Sequence, residues 1–99
     1  TWRLNDLAAE REGQKIVVEI KRFVGRSPMT DFHNAVGQYA GYRSLIQATE
    51  PTYQLYLAID DITYENFFTC EGIAFIVRSS QIFLLVVDID QQEIVKWIS

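Results

Sequence analysis

The sequence predicts an α/β fold, a mixed β-sheet flanked by helices, in a single domain. Three observations predict it. Lys15 to Phe23 alternates as a strand does, with Ile16, Val18 and Ile20 against Val17, Glu19 and Lys21. A helix-spaced stretch follows it. Two later runs, Tyr53 to Ile59 and Ile82 to Asp88, are apolar in both alternating sets. That is the pattern of strands covered on both faces, as in sheets flanked by helices.

Each element has a local cause. Gly25, Ser27 and Pro28 punctuate the end of the first strand. Ser27 is a suitable N-cap with Pro28 at the first helical position, and Thr30 is an alternative start. The helix should run to about Gln47 or Ala48, stopped by Thr49-Glu50-Pro51, because the residue before a proline is pushed out of the helical region. Asp60 and Asp61 should cap a short helix through Phe68, and Gly72 to Arg78 should form a further turn or two. Asp90-Gln91-Gln92 reads as a turn, and Glu93 to Ile98 as a last strand in hairpin with the one before. Strand, long helix, strand, short helices, strand, strand describes a mixed sheet with helical cover.

Composition bounds the function. The 99 residues suffice for one core, and an apolar share of 48% is that of an ordinary globular chain. Cys70 is the one cysteine, so there is neither a disulfide framework nor a cysteine metal set. No apolar run approaches the ~18 residues of a membrane helix, and an intracellular, cytoplasmic setting is the expectation. The net charge of −4 argues against a generic nucleic-acid coat, but the charge is unevenly spread. Residues 15–43 carry Lys15, Lys21, Arg22, Arg26 and Arg43 against Glu19 and Asp31. Residues 44–99 carry Arg78 and Lys96 against eight acids. An anionic ligand near the first strand is compatible with this, whereas steering by the whole protein is not.

In a strand, residues two apart share a face at roughly 6.5 Å, so Glu19 and Lys21 project together. A carboxylate beside an ammonium suits phosphodiester chemistry. Glu19 could hold a hard divalent cation such as Mg²⁺, and Lys21 could orient water or stabilise charge developing on phosphate. For an isolated Glu-x-Lys, a charged, solvated strand face is the commoner outcome. On the helix, Phe32, Val36, Tyr39 and Ile46 form an apolar stripe, and Ala35, Gln38, Tyr42 and Leu45 the adjacent row. Gln38 is thereby an amide among apolar neighbours, with Tyr42 one turn on. It either makes a structural hydrogen bond or reaches with Tyr42 towards Glu19 and Lys21. Gly37 and Gly41 leave a smooth strip for close approach, or are plain surface positions. His33 has no metal partner at suitable spacing. Asp88-Ile89-Asp90 with Glu93 lacks the ligand ladder of a calcium loop and reads as a turn. Trp2 and Trp97 read as packing anchors.

Several segments together resemble the XisH family. They are Gly13 to Lys21 with Phe23, Ala35-Val36-Gly37-Gln38-Tyr39 with Tyr42-Arg43, Glu50-Pro51, Leu55-Tyr56-Leu57-Ala58, and Trp97-Ile98. Members are called fdxN element excision controlling factors and come mainly from cyanobacteria. The resemblance runs from about Leu7 to the C-terminus. It implies a restriction-endonuclease-like fold of PD-(D/E)xK architecture. There an acidic residue, an E-x-K strand and often a Q-x-x-x-Y helix build a metal-dependent endonuclease site. Glu19 and Lys21 match the first motif, and Gln38 and Tyr42 the second. The implied cofactor is Mg²⁺ or Mn²⁺, held by Glu19 with Asp6 as the candidate second acid. The implied partners are DNA, a companion protein such as XisI, and a second copy in a homo-oligomer. Family members carry a leading helix and strands before an Asp-Leu-Ala-Ala segment, then a longer stretch before Gly-Gln-Lys. Here Asp6-Leu7-Ala8-Ala9 runs almost directly into Gly13-Gln14-Lys15. The expectation is one domain, residues 1–99, without some N-terminal elements of the family.

Overall fold

The structure, a computed structural model, describes residues 9–11 and 13–98. Asp6 and Trp2 lie outside the described residues. Five strands form one sheet in the order β1-β2-β3-β4-β5. They are β1 (Ala9–Arg11), β2 (Gln14–Ile20), β3 (Tyr53–Asp60), β4 (Leu84–Asp88) and β5 (Glu93–Ile98). The centre is parallel, with β2 beside β3 and β3 beside β4. The flanks are antiparallel, β1 on β2 and β5 on β4. The sheet is therefore mixed, as the pattern of elements requires.

The β1–β2 hairpin was not legible in the sequence. Ala9 pairs with Ile16 and Arg11 with Gln14, and Gly13 makes the tight connection at φ +83°. Glycine alone enters that left-handed region without a Cβ penalty. The helix α1 spans Pro28–Thr49, and its Ser27 N-cap accepts a hydrogen bond from the Thr30 amide at 3.2 Å. Asp60 caps α2 (Asp61–Thr63), accepting from both the amide and the hydroxyl of Thr63. That helix continues as a π-helical turn, Tyr64–Phe68, before α3 (Glu71–Ser79).

Alternation along the strands builds two apolar faces. On one, Leu55, Leu57 and Ile59 of β3 and Leu84 and Val86 of β4 pack with Phe32, Ala35 and Tyr39 of α1. Phe68 and α3's Ile73 and Val77 complete that core. All described helices thus cover the same face. This is what successive right-handed crossovers give when a sheet grows in one direction. On the other face Ile16, Val18, Tyr56, Ala58, Leu85 and Val87 are buried, with Trp97 set edge-on to Tyr56 at 5.1 Å. Trp97 is the packing anchor expected of it.

The deepest polar contact belongs to Tyr39. Its hydroxyl donates to the Leu55 carbonyl at 2.7 Å and accepts from the Phe83 amide at 3.2 Å. In the parallel β3–β4 ladder, Leu57 N–H donates to Phe83 C=O. The preceding rung would join Phe83 N–H to Leu55 C=O. The phenol takes the place of that rung, pinning α1 to the mouth of two strands. One turn on, Arg43 lies over the Tyr39 ring at 5.3 Å, and its Nη1 donates to the Ser80 and Gln81 carbonyls at 2.9 and 3.2 Å. A cation suits the C-terminus of α3, where carbonyls are unpaired and the dipole is negative.

The α3 C-terminus is itself unusual. Ile82 N–H bonds Val77 C=O and Gln81 N–H bonds Arg78 C=O, the pairing of a Schellman cap. The left-handed position in that cap is normally glycine, but here Gln81 adopts φ 56°.

Candidate functional site

The site residues begin on β2. Val17 packs into the helix-side core while Ile16, Val18 and Ile20 turn to the other face. Alternation therefore puts Glu19 and Lys21 on the helix side. The ordered strand ends at Ile20 rather than Phe23, yet the Lys21 amide still donates to Ala58 C=O at 3.0 Å. Two residues further, Phe23 stacks edge-on to Phe68 at 5.4 Å beneath the start of α1. The backbone is thus tied down on both sides of Lys21, which holds the Glu19–Lys21 pair at the carboxyl end of a parallel strand. Crevices at that end of parallel sheets are where α/β proteins commonly bind ligands.

Glu19 is half-buried, and desolvation raises its carboxyl above the ordinary value of 4.5, only partly offset by the Lys21 ammonium. The pair is a carboxylate short of solvent with one cation beside it. Such a group gains from a further positive partner.

The α1 residues are distributed less tightly than the sequence suggested. Tyr42 is half-buried and packs against the helix-side core. Gln38 is exposed, which corrects the expectation of an amide enclosed by apolar neighbours. It directly precedes the buried Tyr39 and so lies about 100° round the helix from it. Leu45, in the same row, is 62% exposed, so the row runs along the edge of the buried stripe. Val36 and Arg43 form the opposite edge, against Ser80 and Gln81 on the β4 side. Because α1 sits over β3, the Gln38–Tyr42 edge is the one on the β2 side, the flank that carries Glu19 and Lys21.

Three other basic residues have their described contacts elsewhere. Arg43 is committed to carbonyls at the far end of the helix layer. Lys15 lies 5.8 Å over the Tyr53 ring at the amino end of the strands. Arg22 shares a crevice with Asp60, Asp61, Asp88 and Asp90. The Asp88–Gln92 segment is a turn, with Asp88 Oδ1 accepting from the Gln91 amide at 3.1 Å. Gly37 and Gly41 face open space. Among the described residues, no three His, Cys, Asp or Glu side chains are placed to share an ion. Mg²⁺ takes one or two carboxylates and fills its remaining positions with water and phosphate oxygens. Glu19 fits one of those carboxylates.

Sequence reasoning placed Tyr39 in the apolar stripe and missed its hydroxyl. A tyrosine on a core stripe with an arginine four residues on was the available signal, since a buried phenol needs a partner.

The XisH protein family model matches residues 4–95. The chain belongs to the XisH family. Two solved structures are similar. An XisH family protein from Nostoc punctiforme is 37% identical with a TM-score of 0.85, over 91% of this chain and 71% of that one. An fdxN element excision controlling factor from Anabaena variabilis is 41% identical with a TM-score of 0.84, over 91% of this chain and 70% of that one. No curated protein is detectably similar to the chain. The XisH family thus accounts for nearly the whole fold, including the strand and helix that carry Glu19, Lys21, Gln38 and Tyr42.

Proposed function

We propose that this XisH family member is an excision controlling factor whose sheet carries a nuclease-type metal site, acting on DNA during excision of a genetic element. The observation that carries the reading is the Glu19–Lys21 pair, half-buried and facing the helix layer. A solved relative described as an fdxN element excision controlling factor supports the biological setting. Glu19, with Asp6 as the second acid, would hold Mg²⁺ or Mn²⁺. The bound cation would supply Lewis acidity towards a phosphodiester. The Lys21 ammonium stabilises negative charge developing on the phosphate and orients the attacking water. Tyr42 and Gln38 position substrate from the helix edge. In this reading the PD-(D/E)xK architecture is the fold's ancestry, and the site is a cytoplasmic DNA-processing centre.

The test is cleavage of varied DNA substrates with Mg²⁺ or Mn²⁺ by the wild type, Glu19→Gln and Lys21→Ala. Both substitutions should abolish cleavage, while equal activity in all three proteins would remove the assignment. A second reading is an accessory factor that keeps the fold and acts through a protein partner such as XisI. The exposed Gln38 and the single carboxylate contributed by the described residues favour it. Co-purification with that partner, together with no cleavage of any substrate, would establish it over the first.

A further inference from the structure

A cavity lies at the opposite, amino end of the parallel strands, between the second half of α1, α3 and the start of β4. It is a half-open cleft of about 510 Å³, within the range of small-molecule sites. Its apolar walls include Ile46, Leu55, Val77 and Ile82. Arg43 and Arg78 stand at its rim with glutamines 47, 54 and 81. The chain has thirteen acids against nine bases, yet none of the described residues lining the cavity is acidic. Arg43 spends only Nη1 on carbonyls, and a guanidinium carries five N–H donors.

A second, independent feature marks the same place. Gln81 occupies the left-handed cap position that glycine would fill with less strain, and its side chain lines the cavity. Strain kept at a non-glycine residue beside a cavity is a mark of sites where the side chain matters. We infer that this cavity binds a small apolar anion, with its ring or chain on the Leu55–Val77–Ile82 wall and its carboxylate at Arg78 and Arg43. Gln81 donates its amide to the same carboxylate. The site is separate from Glu19 and does not depend on it.

Titration of the full chain with naphthalene carboxylate, followed by amide chemical shifts, tests this. Shifts should concentrate at Val77 and at residues 81–83, and the uncharged naphthalene carboxamide should bind about tenfold more weakly. Arg78→Gln should weaken the carboxylate by a similar factor. Gln81→Gly should weaken it while raising the unfolding midpoint, which separates lost binding from lost folding. Equal affinity for carboxylate and amide would overturn the inference. So would shifts centred elsewhere, or no binding at millimolar probe.

Discussion

Replacing Tyr39 with phenylalanine removes one oxygen and leaves the ring in place. That oxygen serves Leu55 C=O at 2.7 Å and Phe83 N–H at 3.2 Å. The Leu55 carbonyl keeps a second donor, the Gln54 Nε2 at 3.0 Å, so its loss is partial. The part-buried Phe83 amide loses its acceptor, and a donor left unsatisfied away from water costs about 1–3 kcal/mol. Direct closure of the rung would need the two strands to slide together beneath α1, against a close-packed core. The expected cost is therefore about 2 kcal/mol, equivalent to a fall of roughly 8–16 °C in Tm for a domain of this size. Urea and thermal unfolding followed by far-UV circular dichroism measure it, and hydrogen exchange at the Phe83 amide locates it. Tyr42→Phe is the control and should stay within about 0.5 kcal/mol of wild type. A Tyr39→Phe protein as stable as wild type, or an equal loss in both variants, would refute the reasoning.

The remaining predictions concern single side chains. Desolvation raises the folded-state Glu19 carboxyl, so its favourable contribution is complete below the ordinary value of 4.5 and is lost as pH rises through the folded value. Glu19→Gln should accordingly match or exceed wild-type stability at neutral pH, by no more than about 0.5 kcal/mol after solvent screening. That margin should shrink in acid, as denaturation at several pH values would show. Arg43→Ala removes two hydrogen bonds to the α3 terminus and the contact with the Tyr39 ring. It should cost about 1–2.5 kcal/mol in urea unfolding. Gln92 in the β4–β5 turn adopts φ 54°, so Gln92→Gly should stabilise by about 0.5–1 kcal/mol by the same measurement.

The central elements could be read from the sequence because burial leaves a period in it. Ile16, Val17 and Val18 mark β2, though it ends at Ile20 rather than Phe23, and of the two helix starts the pattern allows, Ser27-Pro28 and Thr30, the structure takes the first. Doubly apolar runs announced β3 and β4 as strands covered on both faces. Where burial is not periodic, the reading faltered. The short strand β1 has three residues, too few to show alternation, and only Gly13 hints at the hairpin. The Ile82–Phe83 pair reads as strand, but the Tyr39 hydroxyl takes the first rung, and ladder pairing begins at Leu84. Gln38 was assigned to the interior because its row contains Ala35 and Tyr42. A helix on one face of a sheet buries only a narrow stripe, and Gln38 falls at its edge. The Glu19–Lys21 geometry was legible because it depends on strand alternation alone. Its partial burial was not, because burial depends on tertiary packing that alternation along one strand does not report.

The most direct test of the proposed site asks where a divalent cation goes. Titrating Mn²⁺ into the full chain and following paramagnetic broadening of backbone amides gives that location residue by residue. The account predicts broadening centred on residues 18–21 and reaching the Gln38–Tyr42 edge of α1, lost in Glu19→Gln while the fold is kept. Broadening centred on Asp60, Asp61 and Asp88 instead, or unchanged by Glu19→Gln, would contradict it.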